Sequence, residues 1–316
     1  MTPRSPGPNS KLTGYLLALG AMAFWSGNFI VATEFTEQIP PFTLAFWRWL
    51  IAIILLLPFT FQATRTLWPV LREHFFYLSI TAILGITVFN TLLYLAGHTS
   101  NAINMSLIAI TTPIYIIILA RIFLRERITA NQAMGILITL FGVIVLVTDG
   151  NPAWLLTIQF VRGDLWMLIA AISFAGYSIL VQYKPANIPA KVFLLVTFVL
   201  GLLYLTPFYI WEHLSTPPAQ FSTTVVLSLF YVAIFASLCA FLFWNQAVQI
   251  IGPTRTGLIY YLIPVLSSLL AYLFQDQAIK LIHIISMALI VGGLLLAISF
   301  SKKPQDTARS ETDLQG

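Results

Sequence analysis

The chain has 316 residues, of which 59% are hydrophobic and only 9% are charged. A soluble chain carries about 25% Asp, Glu, Lys and Arg, so this one has too little charge to cover a globular surface of its size. Because about 20 apolar residues cross a bilayer, the composition predicts a polytopic membrane protein with roughly nine or ten spans, and it excludes a soluble enzyme, a disordered chain and a nucleic-acid-binding protein.

Ten apolar segments follow one another along the chain, and most of their connectors are short. They lie at about 12–33, 42–60, 75–96, 101–124, 131–148, 164–182, 192–211, 225–247, 256–274 and 279–300. The bilayer core offers no water to backbone groups, so each span must be a helix or part of a closed barrel. Barrel strands alternate apolar and polar residues, whereas runs such as 51–57 are apolar throughout. The sequence therefore predicts an all-α integral membrane protein with ten transmembrane helices.

The basic residues favour one orientation of these helices. With the N terminus in the cytoplasm, thirteen of the sixteen Lys and Arg residues fall on the cytoplasmic side. Arg162 and Lys280 fall on the opposite side, and Arg48 lies within a span. An excess of Lys and Arg is typical of cytoplasmic connectors, so the net charge of +5 requires no acidic ligand. We predict that both termini are cytoplasmic, with an N-terminal segment at 1–11 and a disordered tail at 301–316.

The two halves of the chain resemble each other. A shift of 149 residues places Gly14, Gly27, Pro40 and Pro58 on Gly163, Gly176, Pro189 and Pro207, and a shift of 151 places Pro113 and Gly142 on Pro264 and Gly293. This predicts two five-helix repeats, 12–148 and 164–300, joined by a connecting loop at 149–163. Because five is odd, the second repeat is inverted relative to the first. Inverted repeats are typical of transporters that work by alternating access, with the solute site near the midplane between the halves.

Polar side chains within the spans indicate where a solute would bind. Asn90 and Tyr94 lie on one face of the third helix, and the repeat relates Tyr94 to Asn245 and Asn28 to Tyr177. Such stripes are costly against lipid, so we expect them to face a shared cavity, with hydrogen bonds between helices as the alternative. The predicted substrate-binding residues are Trp25, Asn28, Asn90, Tyr94, Thr111, Tyr115, Tyr177, Trp244, Asn245 and Tyr260.

Three further residues in the spans are predicted to be structural or gating. Arg48 is the basic residue at membrane depth, where it either contacts an anionic solute or binds backbone carbonyls. Pro113 and Pro264 each remove a backbone hydrogen bond, and we read them as hinges or as fixed kinks. No acidic residue is predicted near the middle of a span, so a carboxylate proton relay is not indicated. The sequence has no phosphate-binding loop for ATP and no Cys/His cluster for a metal, so we expect no cofactor.

Several motifs resemble the EamA-like branch of the drug/metabolite transporter superfamily over about residues 14–299. They are Phe24-Trp25-Ser26-Gly27-Asn28-Phe29, Ile39-Pro40-Pro41 with Phe46-Trp47-Arg48, then Pro113, then Phe123-Leu124 with Glu126, and Gly135 with Gly142. The resemblance implies ten helices in two inverted repeats, a bacterial inner-membrane location, and export of small metabolites such as amino acids. The family carries this Arg whatever its substrate, which favours a structural Arg48. One departure is Gln277, at the position that matches Glu126 in the second half.

We therefore predict a secondary transporter, favouring export, of a small polar or amphipathic metabolite. Its expected partners are a small-molecule solute and membrane lipid, without ATP or nucleic acid. The alternatives are a membrane-embedded enzyme, which would need a catalytic cluster at one interface, and a channel without alternating access.

Overall fold

A computed structural model of the protein describes residues 8–34, 38–100, 102–151, 153, 159–274 and 280–299. The predicted tail at 301–316, the first seven residues and Gln277 lie outside the described residues. All the regular elements of the described part are helices, as the composition predicted.

Among the residues that the structure describes, thirteen helices are long enough to follow here, seven in the first half and six in the second. In order, they are α1 (Pro8–Glu34), α2 (Pro41–Thr66), α3 (Trp68–Glu73), α4 (Phe75–Thr99), α5 (Ala102–Ala109), α6 (Thr112–Phe123), α7 (Ala130–Val147), α8 (Arg162–Gln182), α9 (Ala190–Ser215), α10 (Thr223–Ile251), α11 (Pro253–Ile259), α12 (Ile263–Phe274) and α13 (Leu281–Ser299). A short 3₁₀ turn, Tyr260–Leu262, connects α11 to α12.

Eight spans in the described residues are long and apolar enough to cross a membrane, which makes the chain a multi-pass membrane protein. They are α2, α4, the α5–α6 stretch Asn104–Phe123, α7, α8, α9, α10 and α13. Helix α1 covers the predicted first span with 27 residues, and α11 and α12 together cover the predicted ninth. Helices thus lie at each of the ten predicted segments, while ten crossings in an inverted arrangement stay a prediction.

The helix boundaries repeat with the offsets found in the sequence. Helices α2 and α9 both have 26 residues and begin 149 positions apart, after Pro40 and Pro189. Helices α6 and α12 both have 12 residues and begin 151 positions apart. The helices α4 and α10, which lie between these pairs in the chain, each contain a π-helical segment. It is Ile83–Val88, with six residues, in α4 and Val232–Cys239, with eight residues, in α10. A π segment absorbs extra residues within a helix, so these two additional residues explain the change of offset from 149 to 151.

The contacts between helices are symmetric under exchange of the two halves. Helix α1 packs on α10 and α12, and its counterpart α8 packs on α4 and α6. Two further contacts pair equivalent helices directly: α2 with α9, and α7 with α13. The halves therefore interlock, because the first helix of each packs mainly against the third and fourth spans of the other.

Helices α7 and α13 approach each other most closely at two glycines. A Cβ atom added to Gly135 would lie 2.6 Å from the carbonyl oxygen of Gly293, and one added to Gly293 would lie 2.7 Å from that of Gly135. Any larger side chain at either position would therefore clash with the backbone of the other helix. The next residue, Gly292, has no atom within 4 Å of such a Cβ.

Candidate solute site

Arg48 lies at the centre of the candidate site and is completely buried. Its Nε donates to the Ser237 hydroxyl at 2.9 Å, and its Nη1 donates to Asn90 Oδ1 at 2.8 Å and to the Tyr94 hydroxyl at 2.6 Å. Its Nη2 donates to the Ala236 carbonyl at 3.2 Å. All four partners are neutral, so in the described structure oriented dipoles, rather than a carboxylate, stabilise the charge.

The acceptors for Arg48 from the second half lie on the π segment of α10. The Ser237 hydroxyl donates to the Val232 carbonyl at 2.8 Å, which leaves its oxygen free to accept from Arg48. The Ala236 carbonyl also accepts from Trp25 Nε1 at 2.9 Å. This segment therefore connects to both α1 and α2, and π segments frequently occur at functional sites.

Two tyrosine–asparagine hydrogen bonds connect the first and third spans of each half. The Tyr94 hydroxyl donates to Asn28 Oδ1 at 3.1 Å, between α4 and α1. The Tyr177 hydroxyl donates to Asn245 Oδ1 at 2.7 Å, between α8 and α10. The repeat relates Asn28 to Tyr177 and Tyr94 to Asn245. The two bonds therefore occupy equivalent positions, with the residue types exchanged.

An aromatic cluster fills the space between the two halves. The Trp25 ring centroid lies 5.3 Å from that of Phe174, 5.4 Å from Trp244, 5.5 Å from Phe241 and 6.5 Å from Tyr260. Trp25 and Phe174 are equivalent positions of the repeat, so their edge-to-face contact lies where the halves meet. We call these five residues the aromatic cluster.

Tyr177 connects the aromatic cluster to the first half through Gly85. Its ring centroid lies 5.7 Å from that of Phe241. A Cβ atom on Gly85, in the π segment of α4, would lie 2.2 Å from the Tyr177 ring. Only glycine lets this backbone approach so closely, and the Gly85 carbonyl accepts from Asn90 Nδ2 at 3.0 Å. The ring and the Arg48 network therefore contact the same segment of α4.

The structure brings eight of the ten predicted substrate-binding residues into these groups. Asn28, Asn90 and Tyr94 join Arg48, while Trp25, Tyr177, Trp244, Asn245 and Tyr260 lie in or beside the aromatic cluster. Thr111 is half-buried and donates to the Ile108 carbonyl at 2.6 Å. Tyr115 packs half-buried against the core. All ten assignments as substrate-binding residues stay predictions.

The two predicted hinge prolines stand at breaks in their spans. Pro113 lies in the first turn of α6, just after the chain leaves α5, and Pro264 lies in the first turn of α12, just after the 3₁₀ turn. A proline in a first turn sacrifices no helical hydrogen bond. Each of these two spans therefore consists of two shorter helices that follow one another, and the break between them lies at equivalent positions of the two halves.

Sequence reasoning missed three contributors to the site. Ser237 and the Ala236 carbonyl, which accept from Arg48, lie in a long apolar run. Ser178, which accepts from Trp244 Nε1 at 3.2 Å, directly follows Tyr177 and belongs to no recognisable motif. The one available signal was the two-residue change of offset, which falls between Pro58 and Tyr94 of the first half. It marked an irregular helix without showing which groups that helix would present.

Polar contacts join the two halves near both ends of the bundle. At the predicted outer end, the buried Asp164 carboxylate accepts from Asn104 Nδ2 at 2.8 Å and from the Ser100 hydroxyl. At the predicted cytoplasmic end, the Glu126 carboxylate accepts from the Thr254 hydroxyl at 2.5 Å. Both sets of contacts join one half to the other.

Glu126 lies in the loop between α6 and α7 and is half-buried. Burial raises the pKa of this carboxyl, and the hydrogen bond from Thr254 and the charge of Arg255 oppose the shift. The Glu126 carboxyl therefore binds a proton more tightly than the carboxyl of an exposed glutamate would.

Glu212 fixes the start of the helix that carries Arg48. Its carboxylate accepts from the Thr43 backbone N–H at 2.7 Å, the Thr43 hydroxyl at 2.8 Å and the Phe42 N–H at 3.1 Å. A carboxylate at a helix N terminus satisfies free N–H groups and interacts favourably with the helix dipole. This contact anchors α2 of the first half to α9 of the second.

The EamA-like transporter family model matches residues 12–148 and 161–299. The chain belongs to the EamA-like transporter family. The two matched segments cover the two halves of the chain separately.

Similar proteins support the same conclusion. An uncharacterized transporter of Archaeoglobus fulgidus is 26% identical over 255 residues, which cover 81% of this chain and 86% of that protein. An uncharacterized transporter of Bacillus subtilis is 24% identical and covers 93% and 89%, and a riboflavin transporter of Brucella anthropi is 25% identical and covers 63% and 70%. One crystal structure shares the fold with a TM-score of 0.70 at 22% identity, covering 91% and 97%. The protein is a membrane transporter.

Proposed function

We propose that the protein is a secondary transporter that exports a small polar or amphipathic metabolite, such as an amino acid, by alternating access across a bacterial inner membrane. The observation that carries the proposal is the pair of equivalent hydrogen bonds, Asn28–Tyr94 and Tyr177–Asn245, each about one helical turn from the Trp25–Phe174 contact between the halves. Polar groups from both halves therefore converge between the repeats, which is where such carriers bind their solutes.

The repeat supplies a physical reason for two states. We propose that residues 12–148 and 164–300, joined by 149–163, are inserted in opposite directions. Exchanging the conformations of two inverted copies then converts an inward-open state into an outward-open state of similar energy. Inward opening would separate Glu126 from Thr254, whereas outward opening would separate Asp164 from Ser100 and Asn104.

The chemistry of the site supports an amphipathic solute. The aromatic cluster offers ring faces for an apolar or planar part. Asn245 Nδ2 is buried and has no hydrogen-bond partner among the described residues, so it can donate to a polar group of the solute. Arg48 already makes four hydrogen bonds, so we propose that it does not bind the solute itself but holds Asn90 and Tyr94 in position for it.

Counterflow in proteoliposomes tests this proposal. The purified protein is reconstituted in vesicles loaded with one unlabelled solute at a time, and entry of the labelled solute is followed. The panel contains amino acids, and riboflavin is added because one relative is named as its transporter. We expect saturable counterflow for at least one solute. A current without saturation would indicate a channel, and chemical conversion of the solute would indicate an enzyme.

Substitutions then test the site itself. We expect Asn28→Ala, Tyr94→Ala and Asn245→Ala each to abolish counterflow while expression and folding persist, because each removes a polar group where the halves meet. Gly292→Ala is the matched control, since its side chain would meet no other atom within 4 Å. Normal counterflow by the three site variants would show that the solute binds elsewhere.

A further inference from the structure

An apolar groove of about 620 Å³ lies between α2, α3, α4 and α9, away from the candidate solute site. Leu57, Leu195, Val199 and Leu203 form part of its walls, and Arg65, Trp68 and Arg72 surround one end. Arg65 lies in the last turn of α2, and Arg72 lies in the last turn of the short helix α3. The groove is therefore apolar along its length and cationic at one end.

The groove has the depth of one lipid leaflet. Helix α9 begins at Ala190, at the same end of the bundle as the two arginines. Leu195 and Leu203 lie five and thirteen residues further along, which corresponds to about 8–20 Å at 1.5 Å per residue. One leaflet of the hydrocarbon core is about 15 Å thick. An acyl chain whose head group lies beside the arginines would therefore run along the groove.

The charge at this end is available for a ligand. Both arginine side chains are exposed, and neither forms an ion pair with another residue in the described part of the chain. Trp68 is also exposed, as expected for an aromatic residue at the boundary between lipid and water. Two guanidinium groups on adjacent helices can both donate hydrogen bonds to one phosphate.

Comparison of the two halves shows that packing of equivalent helices does not by itself require arginines at this end of the groove. The 149-residue shift relates Arg65, Trp68 and Arg72 to Leu214, Pro217 and Phe221 in the second half. The equivalent place therefore has neither of the two cations. The arginines occur only in the copy whose connector is predicted to face the cytoplasm.

We infer that this groove binds an anionic phospholipid of the cytoplasmic leaflet, with one acyl chain against α9 and the phosphate between Arg65 and Arg72. The inference depends on the predicted orientation but not on the identity of the transported solute. Basic sites between helices on the cytoplasmic side are typical positions for anionic head groups.

Native mass spectrometry of the full chain in detergent tests this inference, with phosphatidylglycerol and phosphatidylcholine of identical acyl chains as the probes. We expect the wild type to bind phosphatidylglycerol about tenfold more tightly, because each basic residue favours an anionic lipid. The double variant Arg65→Gln with Arg72→Gln should reduce this preference to near unity.

Two further variants make the outcome decisive. Arg121→Gln with Arg125→Gln removes two exposed charges outside the groove and should keep the preference. Val199→Trp fills the groove and should weaken binding of both lipids while the arginines remain. Equal affinities in the wild type, an unchanged preference in the Arg65/Arg72 variant, or the same loss in the control would overturn the inference.

Discussion

Tyr94 and Tyr261 offer a direct measurement of the Arg48 network. Both side chains are 1% exposed. The Tyr94 hydroxyl accepts from Arg48 and donates to Asn28, whereas the Tyr261 hydroxyl has no partner among the described residues. Replacing either residue with Phe removes one oxygen atom and keeps the ring. The two variants therefore differ mainly in the hydrogen bonds that are lost.

The expected magnitudes follow from these contacts. Tyr94→Phe leaves one N–H of Arg48 and the Oδ1 of Asn28 without their partner. A hydrogen bond to a charged group contributes about 1.5–3 kcal/mol, and a neutral bond between membrane helices about 0.6 kcal/mol. The free energy of unfolding should therefore fall by about 2–4 kcal/mol. Tyr261→Phe removes an unsatisfied buried hydroxyl, so its unfolding free energy should stay unchanged or rise by about 1 kcal/mol.

Reversible unfolding in mixed detergent micelles, followed by tryptophan fluorescence, gives both free energies. The same preparations are then assayed for counterflow, which we expect Tyr261→Phe to retain and Tyr94→Phe to lose. Equal unfolding free energies for the two variants would refute the hydrogen-bond network. Normal counterflow by a folded Tyr94→Phe protein would refute the placement of Tyr94 at the solute site.

Two other contacts lead to separate predictions. Gly293→Ala should lower the unfolding free energy by about 1–3 kcal/mol, because its Cβ meets the Gly135 carbonyl, while Gly292→Ala should not lower it. Similar losses in both alanine variants would contradict the close contact of α7 and α13. Burial raises the pKa of Glu126, so its protonation stabilises the fold fully below the ordinary value of 4.5, and this stabilisation is lost as pH rises through the raised pKa. Glu126→Gln keeps an acceptor for Thr254 without the charge, so its melting temperature relative to the wild type should increase from about pH 4.5 to about pH 8. A difference that does not vary with pH would contradict the buried carboxyl.

The positions of the helices could be predicted from the sequence because the bilayer requires only length and apolar composition. Each described helix with a predicted counterpart lies where an apolar segment was found, and α2 and α9 begin after the prolines that the repeat had paired. The change of offset indicated an irregular helix in this region, but the π segments themselves could not be located from the sequence. A π turn changes the backbone hydrogen-bond register without changing the hydrophobic pattern, so an apolar run such as 232–239 shows no sign of it.

The candidate site could be predicted in part. Helix periodicity grouped Asn90 with Tyr94, and the repeat related Asn28 to Tyr177, because both depend only on spacing. The contacts of Arg48 could not be predicted, since Ser237 lies 189 residues away in sequence and its orientation depends on the π segment. Residues on one helix face were therefore easier to group than residues on different helices.

One difference between the two halves lies at the position of Arg48. Its equivalent in the repeat is Thr197, whose hydroxyl donates to the Phe193 carbonyl of its own helix at 2.9 Å. The Asn28–Tyr94 pair is therefore held by a buried cation, whereas the equivalent Tyr177–Asn245 pair is not, and Asn245 Nδ2 has no partner in the described structure. Moving a buried cation out of its hydrogen bonds costs more than breaking a neutral pair. If a solute replaces one of these hydrogen bonds with a bond of its own, breaking the Tyr177–Asn245 bond costs less free energy than breaking the Asn28–Tyr94 bond. We therefore expect the second pair to change partners during transport, while the first pair keeps its hydrogen bond.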